Sequence, residues 1–108
     1  MYYTTISVLS YTTCVAIEFT ESAGKHGFTE ADAIHAMSNA RYYEPEFEEP
    51  RDLSSIRPSL WIGPSLDARA PLLEVMAEVI PPRTVRVFHV MRAREKFLAR
   101  LDIEEGQQ

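Results

Sequence analysis

Residues 72–91 constrain the fold of this 108-residue chain more than any other stretch. They read LLEVMAEVI, then PPR, then TVRVFHVM. Strand side chains alternate between the two faces of a sheet. In the first run Leu73, Val75, Ala77 and Val79 point one way, and Leu72, Glu74, Met76 and Glu78 the other. Pro81-Pro82-Arg83 turns the chain. In the second run Val85, Val87, His89 and Met91 share one face, and Arg86, Phe88 and Val90 the other. A buried face must be continuous, and a slip of one residue would mix the two faces. The simplest register therefore sets Val79 opposite Val85 and Glu78 opposite Arg86, a charge pair worth ~0.2–1 kcal/mol. It puts His89 opposite Val75 on the core-facing side. Glu74 then falls on the other face, so Glu74 and His89 form no direct acid–base pair in this register.

Around this hairpin the chain has room for one core. Thr29 is an N-cap with Asp32 three residues on, so a helix is expected from Glu30 to Asn39. Residues 2–13 have the composition of a strand, either an edge strand or an extension. Residues 15–24 fit strand and helix alike, and Gly24 and Gly27 bracket a tight turn at Lys25-His26. An acidic, proline-punctuated loop at 44–58 precedes a short strand, SLWIG, at 59–63. A last helix over 93–101 buries Phe97, Leu98 and Leu101. We expect an N-terminal extension at 1–14, a single domain at 15–101 and a polar tail at 102–108. The expected class is α+β: a small antiparallel sheet of three to four strands with helices packed on one face.

Apolar residues make up 45% and charged residues 25% of the chain, ordinary values for a globular protein. No apolar run reaches the roughly 18 residues a membrane helix needs. The first residues lack the basic start and cleavage site of a secretory signal, so a cytoplasmic location without membrane association is expected. The single Cys14 excludes a disulfide framework and a thiolate zinc cage. The net charge of −5 argues against a general nucleic-acid binder. Its distribution matters more: residues 44–52 hold five acids and one base, whereas residues 83–100 hold six bases and one acid.

Candidate chemistry gathers at that basic end. The three histidines, His26, His35 and His89, lack metal-ligand spacing, and neither a metal nor another cofactor is expected. His89, near a strand end, is either a core histidine or a general acid or base. On a continuous helix Arg92, Lys96 and Arg100 share one face, as a solvated surface or a phosphate clamp. RNA cleavage needs a group to take the 2′-hydroxyl proton, one to protonate the leaving group, and cations for the phosphorane. Arg94, where strand passes into helix, is the best candidate for the last role. Trp61 and Tyr42-Tyr43 are core packing or base-stacking groups.

Taken in order, Lys25-His26-Gly27 before a helix, Ile62-Gly63-Pro64, Leu72-Leu73-Glu74-Val75 and Ala93-Arg94 before the last helix resemble the BrnT-like toxins. These are distant relatives of RelE-type ribonucleases from type II toxin–antitoxin operons. The resemblance spans about residues 16–100. It implies a RelE/BrnT-like fold, metal-independent endoribonuclease activity, and a hetero-oligomer with a cognate antitoxin, itself a ribbon-helix-helix or similar DNA-binding protein. It puts Arg94 in the active site and Lys25 and His26 near the sheet, and it matches Arg69 to a basic position. The residues then expected to act are Arg94, His89, His26 and Glu74, with Lys25, Arg69, Arg92 and Lys96 on RNA phosphate. The rival expectation is a non-catalytic domain of the same fold that binds a protein partner.

Overall fold

The computed structural model describes residues 6–10, 13–51 and 55–105, with side chains from residue 16 to residue 101. The strands are β1 (Ile6–Ser10), β2 (Thr13–Phe19), β3 (Tyr42–Glu44), β4 (Ser59–Gly63), β5 (Leu73–Ile80) and β6 (Thr84–Arg92). The helices are α1 (Glu30–Ser38) and α2 (Glu95–Glu105), with a 3-10 turn at Ser22–Gly24. All six strands form one sheet in the order β1-β2-β6-β5-β4-β3. The chain is α+β, as expected.

The expected layout needs two corrections. The sheet has six strands instead of three to four, and it is mixed, because β2 pairs parallel to β6 while every other pairing is antiparallel. Parallel strands need a long crossover, and α1 with β3, β4 and β5 provides it. Of the two readings of residues 2–13, edge strand or extension, the sheet shows β1 as an edge strand.

Second, the helices cover both faces instead of one. β5 is buried from Leu73 to Glu78, so each of its faces needs a cover. Leu73, Val75 and Ala77 pack in a cluster with Ala33 and Ala36 of α1, and with Ile17, Phe19 and Val87. Met76 packs in a separate cluster with Phe97 and Leu101 of α2, and with Leu60, Ile62 and Phe88. Alternate residues of one strand point to opposite faces, so α1 and α2 sandwich the sheet.

Helix α1 begins as the sequence dictates. The Thr29 hydroxyl accepts from the Asp32 N–H at 3.1 Å, and the Asp32 carboxylate accepts from the Thr29 N–H at 3.2 Å. Its far side is tied to the sheet through His35, whose Nδ1–H donates to the Pro64 carbonyl at 2.9 Å. Gly63 is required for close approach, because a Cβ there would overlap the Ala36 carbonyl oxygen and lie 3.1 Å from the Ala40 Cα. Both obstacles are backbone. Gly63→Ala is therefore expected to cost about 1–3 kcal/mol, read as a lower midpoint in urea with the slope unchanged.

The hairpin begins in the expected register: Val79 faces Val85 and Glu78 faces Arg86. The Arg86 guanidinium reaches Glu18 on β2 at 2.9 Å and Glu78 on β5 at 3.6 Å, so one cation ties three strands. Beyond Ala77–Val87 the register shifts. Met76 faces His89, which leaves Phe88 as an extra residue in β6, a β-bulge.

Candidate active site

The bulge at Phe88 overturns one expectation directly. It advances β6 by one residue, so His89 faces Met76 instead of Val75. His89 therefore joins the even-numbered face of β5, the face that carries Glu74. Its Nε2 lies 2.8 Å from Glu74 Oε2. Glu74 and His89 are a direct pair. A carboxylate only accepts, so Nε2 carries the shared proton. The other ring nitrogen, Nδ1, is then a base whenever the ring is neutral.

The same carboxylate organises the start of α2. The Ala93 N–H donates to the Leu72 carbonyl at 2.9 Å, which holds the β6–α2 junction across the start of β5. Arg94 follows, and its carbonyl accepts from the Phe97 and Leu98 N–H groups in the first turn of the helix. Its own N–H donates to Glu74 Oε1 at 2.9 Å. The guanidinium adds a fork: Nε lies 3.2 and 3.1 Å from the two carboxylate oxygens, and Nη2 lies 2.7 Å from Oε2. Glu74 is fully buried, whereas the side chains of His89 and Arg94 are 20% and 44% exposed. The carboxylate is thus a hidden anchor that presents two half-open groups to solvent.

Electrostatics follow from this geometry. Burial alone would raise the Glu74 carboxyl. The hydrogen bonds from His89 and from the Arg94 side chain and backbone, with the Arg94 charge, outweigh burial and bring it down to about 2. Glu74 is therefore ionised throughout the physiological range. Reciprocally, the hydrogen bond to Glu74 raises the Arg94 guanidinium, to which the Glu48 charge adds. A buried charge pair stabilises a fold little compared with a well-packed apolar core. Strongly shifted groups at an opening gather at functional sites.

His26 completes the cluster from another element. The last pairing of β2 with β6 is Phe19 to Val87, and the Thr20 N–H donates to the Val87 carbonyl. Past Val87 the 3-10 turn takes the place of a strand beside β6. The Lys25-His26-Gly27 segment follows, with Gly27 at φ 89°. The exposed His26 ring meets His89 edge to face, with centroids 5.9 Å apart. Arg94, His89, His26 and Glu74 thus fall within one cluster.

The four expected phosphate ligands are placed less uniformly. Lys25 is exposed next to His26. Arg92 is exposed at the end of β6 and lines an open groove of about 790 Å³ together with Arg94. Lys96 is exposed on α2, with its ammonium 4.9 Å from the Phe97 ring centre. Arg69 is exposed in the β4–β5 loop, with its N–H on Asp67 Oδ1, and among the described residues no hydrogen bond, ion pair or ring contact joins it to the Glu74 cluster. Among the described residues none of these four side chains has a hydrogen bond or an ion pair. The expected stripe of Arg92, Lys96 and Arg100 does not form, because Arg92 belongs to β6 and Arg100 is paired with Glu44.

The acidic loop makes contacts of its own at the basic end. Phe47 meets Phe97 of α2 edge to face, with centroids 6.1 Å apart. The Arg51 guanidinium lies 3.8 Å over the Phe88 ring, next to His89 in sequence. Arg100 donates to Glu44, which also accepts from the Tyr42 hydroxyl at 2.7 Å. The described part of the loop therefore lies along the α2 side of the sheet. Trp61 packs against the α1-side core and meets the exposed Tyr43 at 5.0 Å between ring centres.

Among the described residues no three His, Cys, Asp or Glu side chains are grouped to hold a metal ion. No described helix is long and apolar enough to cross a membrane. No family model, no curated protein and no solved structure matches the chain.

Proposed function

We propose that this chain is a metal-independent endoribonuclease of the toxin kind, acting in the cytoplasm and neutralised by a cognate antitoxin. One observation carries the reading: a fully buried, ionised Glu74 holds the partly exposed His89 and Arg94, and the exposed His26 ring meets His89. Glu74 directs the His89 proton to Nε2, which leaves Nδ1 to take the proton of an RNA 2′-hydroxyl. The 2′-oxygen attacks the adjacent phosphorus, and the bond to the 5′-oxygen breaks. His26, in its protonated form, supplies the proton that the leaving 5′-oxygen needs. Arg94 stabilises the charge that builds on the phosphorane, while Lys25 and Lys96 attract the backbone. The products are a 2′,3′-cyclic phosphate and a 5′-hydroxyl.

Induced expression without the partner tests this. Growth is expected to arrest, with cellular RNA cleaved. His89→Ala is expected to abolish both effects while melting within a few degrees of the wild type. Continued growth with intact RNA, at full expression of folded wild type, would sink the proposal.

A second reading has its own observation. The acidic loop already pairs Glu44 with Arg100, and the Glu48 charge reaches Arg94. A basic end partly neutralised from within suits a non-catalytic domain that binds a protein partner. The two readings part on whether the purified chain cuts RNA.

A further inference from the structure

Cleavage at one phosphodiester leaves open which nucleotide is chosen, and the groove beside Arg94 bears on that choice. We infer that this groove is a base-binding subsite and that its ligand is guanine in single-stranded RNA. The inference rests on the ribonuclease reading and adds a specificity element to it. The groove adjoins the candidate reaction centre through Arg94, which belongs to both. At about 790 Å³ it falls within the range of roughly 300–1,000 Å³ usual for small-ligand clefts.

Its lining has the character a base requires. Leu72, Met91 and Leu98 are half-buried and offer aliphatic and thioether surface to the flat face of a ring. Arg92 and Glu95 are exposed members of the same lining, and neither has a hydrogen bond or ion pair among the described residues. The carboxylate only accepts and the guanidinium only donates.

Those two groups select among bases. Guanine carries N1–H and N2–H side by side, which match the two oxygens of a carboxylate. On its other edge O6 and N7 accept a guanidinium fork. Adenine and cytosine each present one amine beside a ring nitrogen lone pair, which a carboxylate repels. Uracil presents a single N3–H between two carbonyls. Only guanine offers a paired donor edge to Glu95 and a paired acceptor edge to Arg92.

Titration of the full chain with guanosine 3′-monophosphate and with uridine 3′-monophosphate, followed by the Met91 methyl resonance, tests the subsite without requiring catalysis. The guanine nucleotide is expected to bind at least about tenfold more tightly. Glu95→Gln, at an exposed position, is expected to bring that ratio below about threefold. Equal affinity for the two nucleotides, or a preference that survives Glu95→Gln, overturns the inference. Mapping of cuts in a mixed-sequence RNA separates the two proposals. Cutting without base preference removes the subsite and leaves the reaction. A guanine preference in binding with no cutting removes the reaction and leaves the subsite.

Discussion

Arg94→Ala is expected to lower RNA cleavage by about 10²–10³-fold, the usual loss when one donor to a developing oxyanion is removed. In the proposed reaction the side chain has two tasks. Its Nε and Nη2 grip Glu74, and the rest of the fork, on a side chain 44% exposed, is left for a phosphate oxygen. Arg94→Lys keeps the charge and loses the fork, so it is expected to recover part of the rate, because a lysine cannot hold Glu74 and grip phosphate in two-pronged fashion. Rates should be normalised to the folded fraction measured by circular dichroism. The Glu74 pair with His89 and the Arg94 backbone N–H both persist in Arg94→Ala, so most of the protein is expected to stay folded at 25 °C. Wild-type cleavage by folded Arg94→Ala would remove this residue from the reaction.

Glu74→Ala is expected to have the largest effect on stability, a loss of about 3–5 kcal/mol. It leaves the Arg94 backbone N–H and the His89 Nε2–H without their acceptor, deprives the half-open Arg94 guanidinium of its buried partner, and leaves a void where the fully buried side chain stood. The ionisation of Glu74 has a matching pH signature. Its folded value of about 2 lies below the ordinary 4.5. A carboxyl depressed on folding stabilises the folded state fully above its unfolded value, and that stabilisation is lost as pH falls through the folded value. Stability of the wild type is therefore expected to decline from about pH 5 toward pH 2, by about 3 kcal/mol from this group. Urea midpoints measured across that range should show the decline, and in Glu74→Ala the part due to this residue should vanish. An acid branch identical in the two proteins would contradict the depressed carboxyl.

The sequence disclosed elements better than it disclosed their arrangement. Thr29 and Asp32 announce the start of α1, and Pro81-Pro82-Arg83 announces the turn, because capping and turn chemistry are local. The pairing of Glu78 with Arg86 was legible for the same reason, three residues from the turn on each side. The bulge at Phe88 was not. Apolar residues occupy both phases of the second strand, as Phe88 and Val90 in one and Val87 and Met91 in the other. A one-residue shift therefore leaves no mark in a period-two pattern. That shift brings His89 to Glu74, so the feature that assembles the site was hidden in the part of the hairpin with the least informative alternation. The expectation of helices on one face failed for a related reason. Leu73 to Glu78 is buried on both faces, and that pattern requires two covers.

Arg94, His89, His26 and Glu74 stand out in the sequence for their chemistry and for a resemblance in motif order. Their meeting depends on long-range pairing. His26 reaches His89 only because β2 runs parallel to β6 and ends beside Val87. The ring contacts of the acidic loop were equally remote, since Phe47 and Arg51 find their partners Phe97 and Phe88 about forty to fifty residues away in the sequence.

The most direct test of the account is incubation of the purified full chain with single-stranded RNA in excess EDTA, followed by analysis of the product ends. The account predicts cleavage to 2′,3′-cyclic phosphate and 5′-hydroxyl ends, lost in Arg94→Ala and in His89→Ala proteins that remain folded. Folded wild type that leaves the RNA intact, or cuts equally well with either residue replaced, would contradict it.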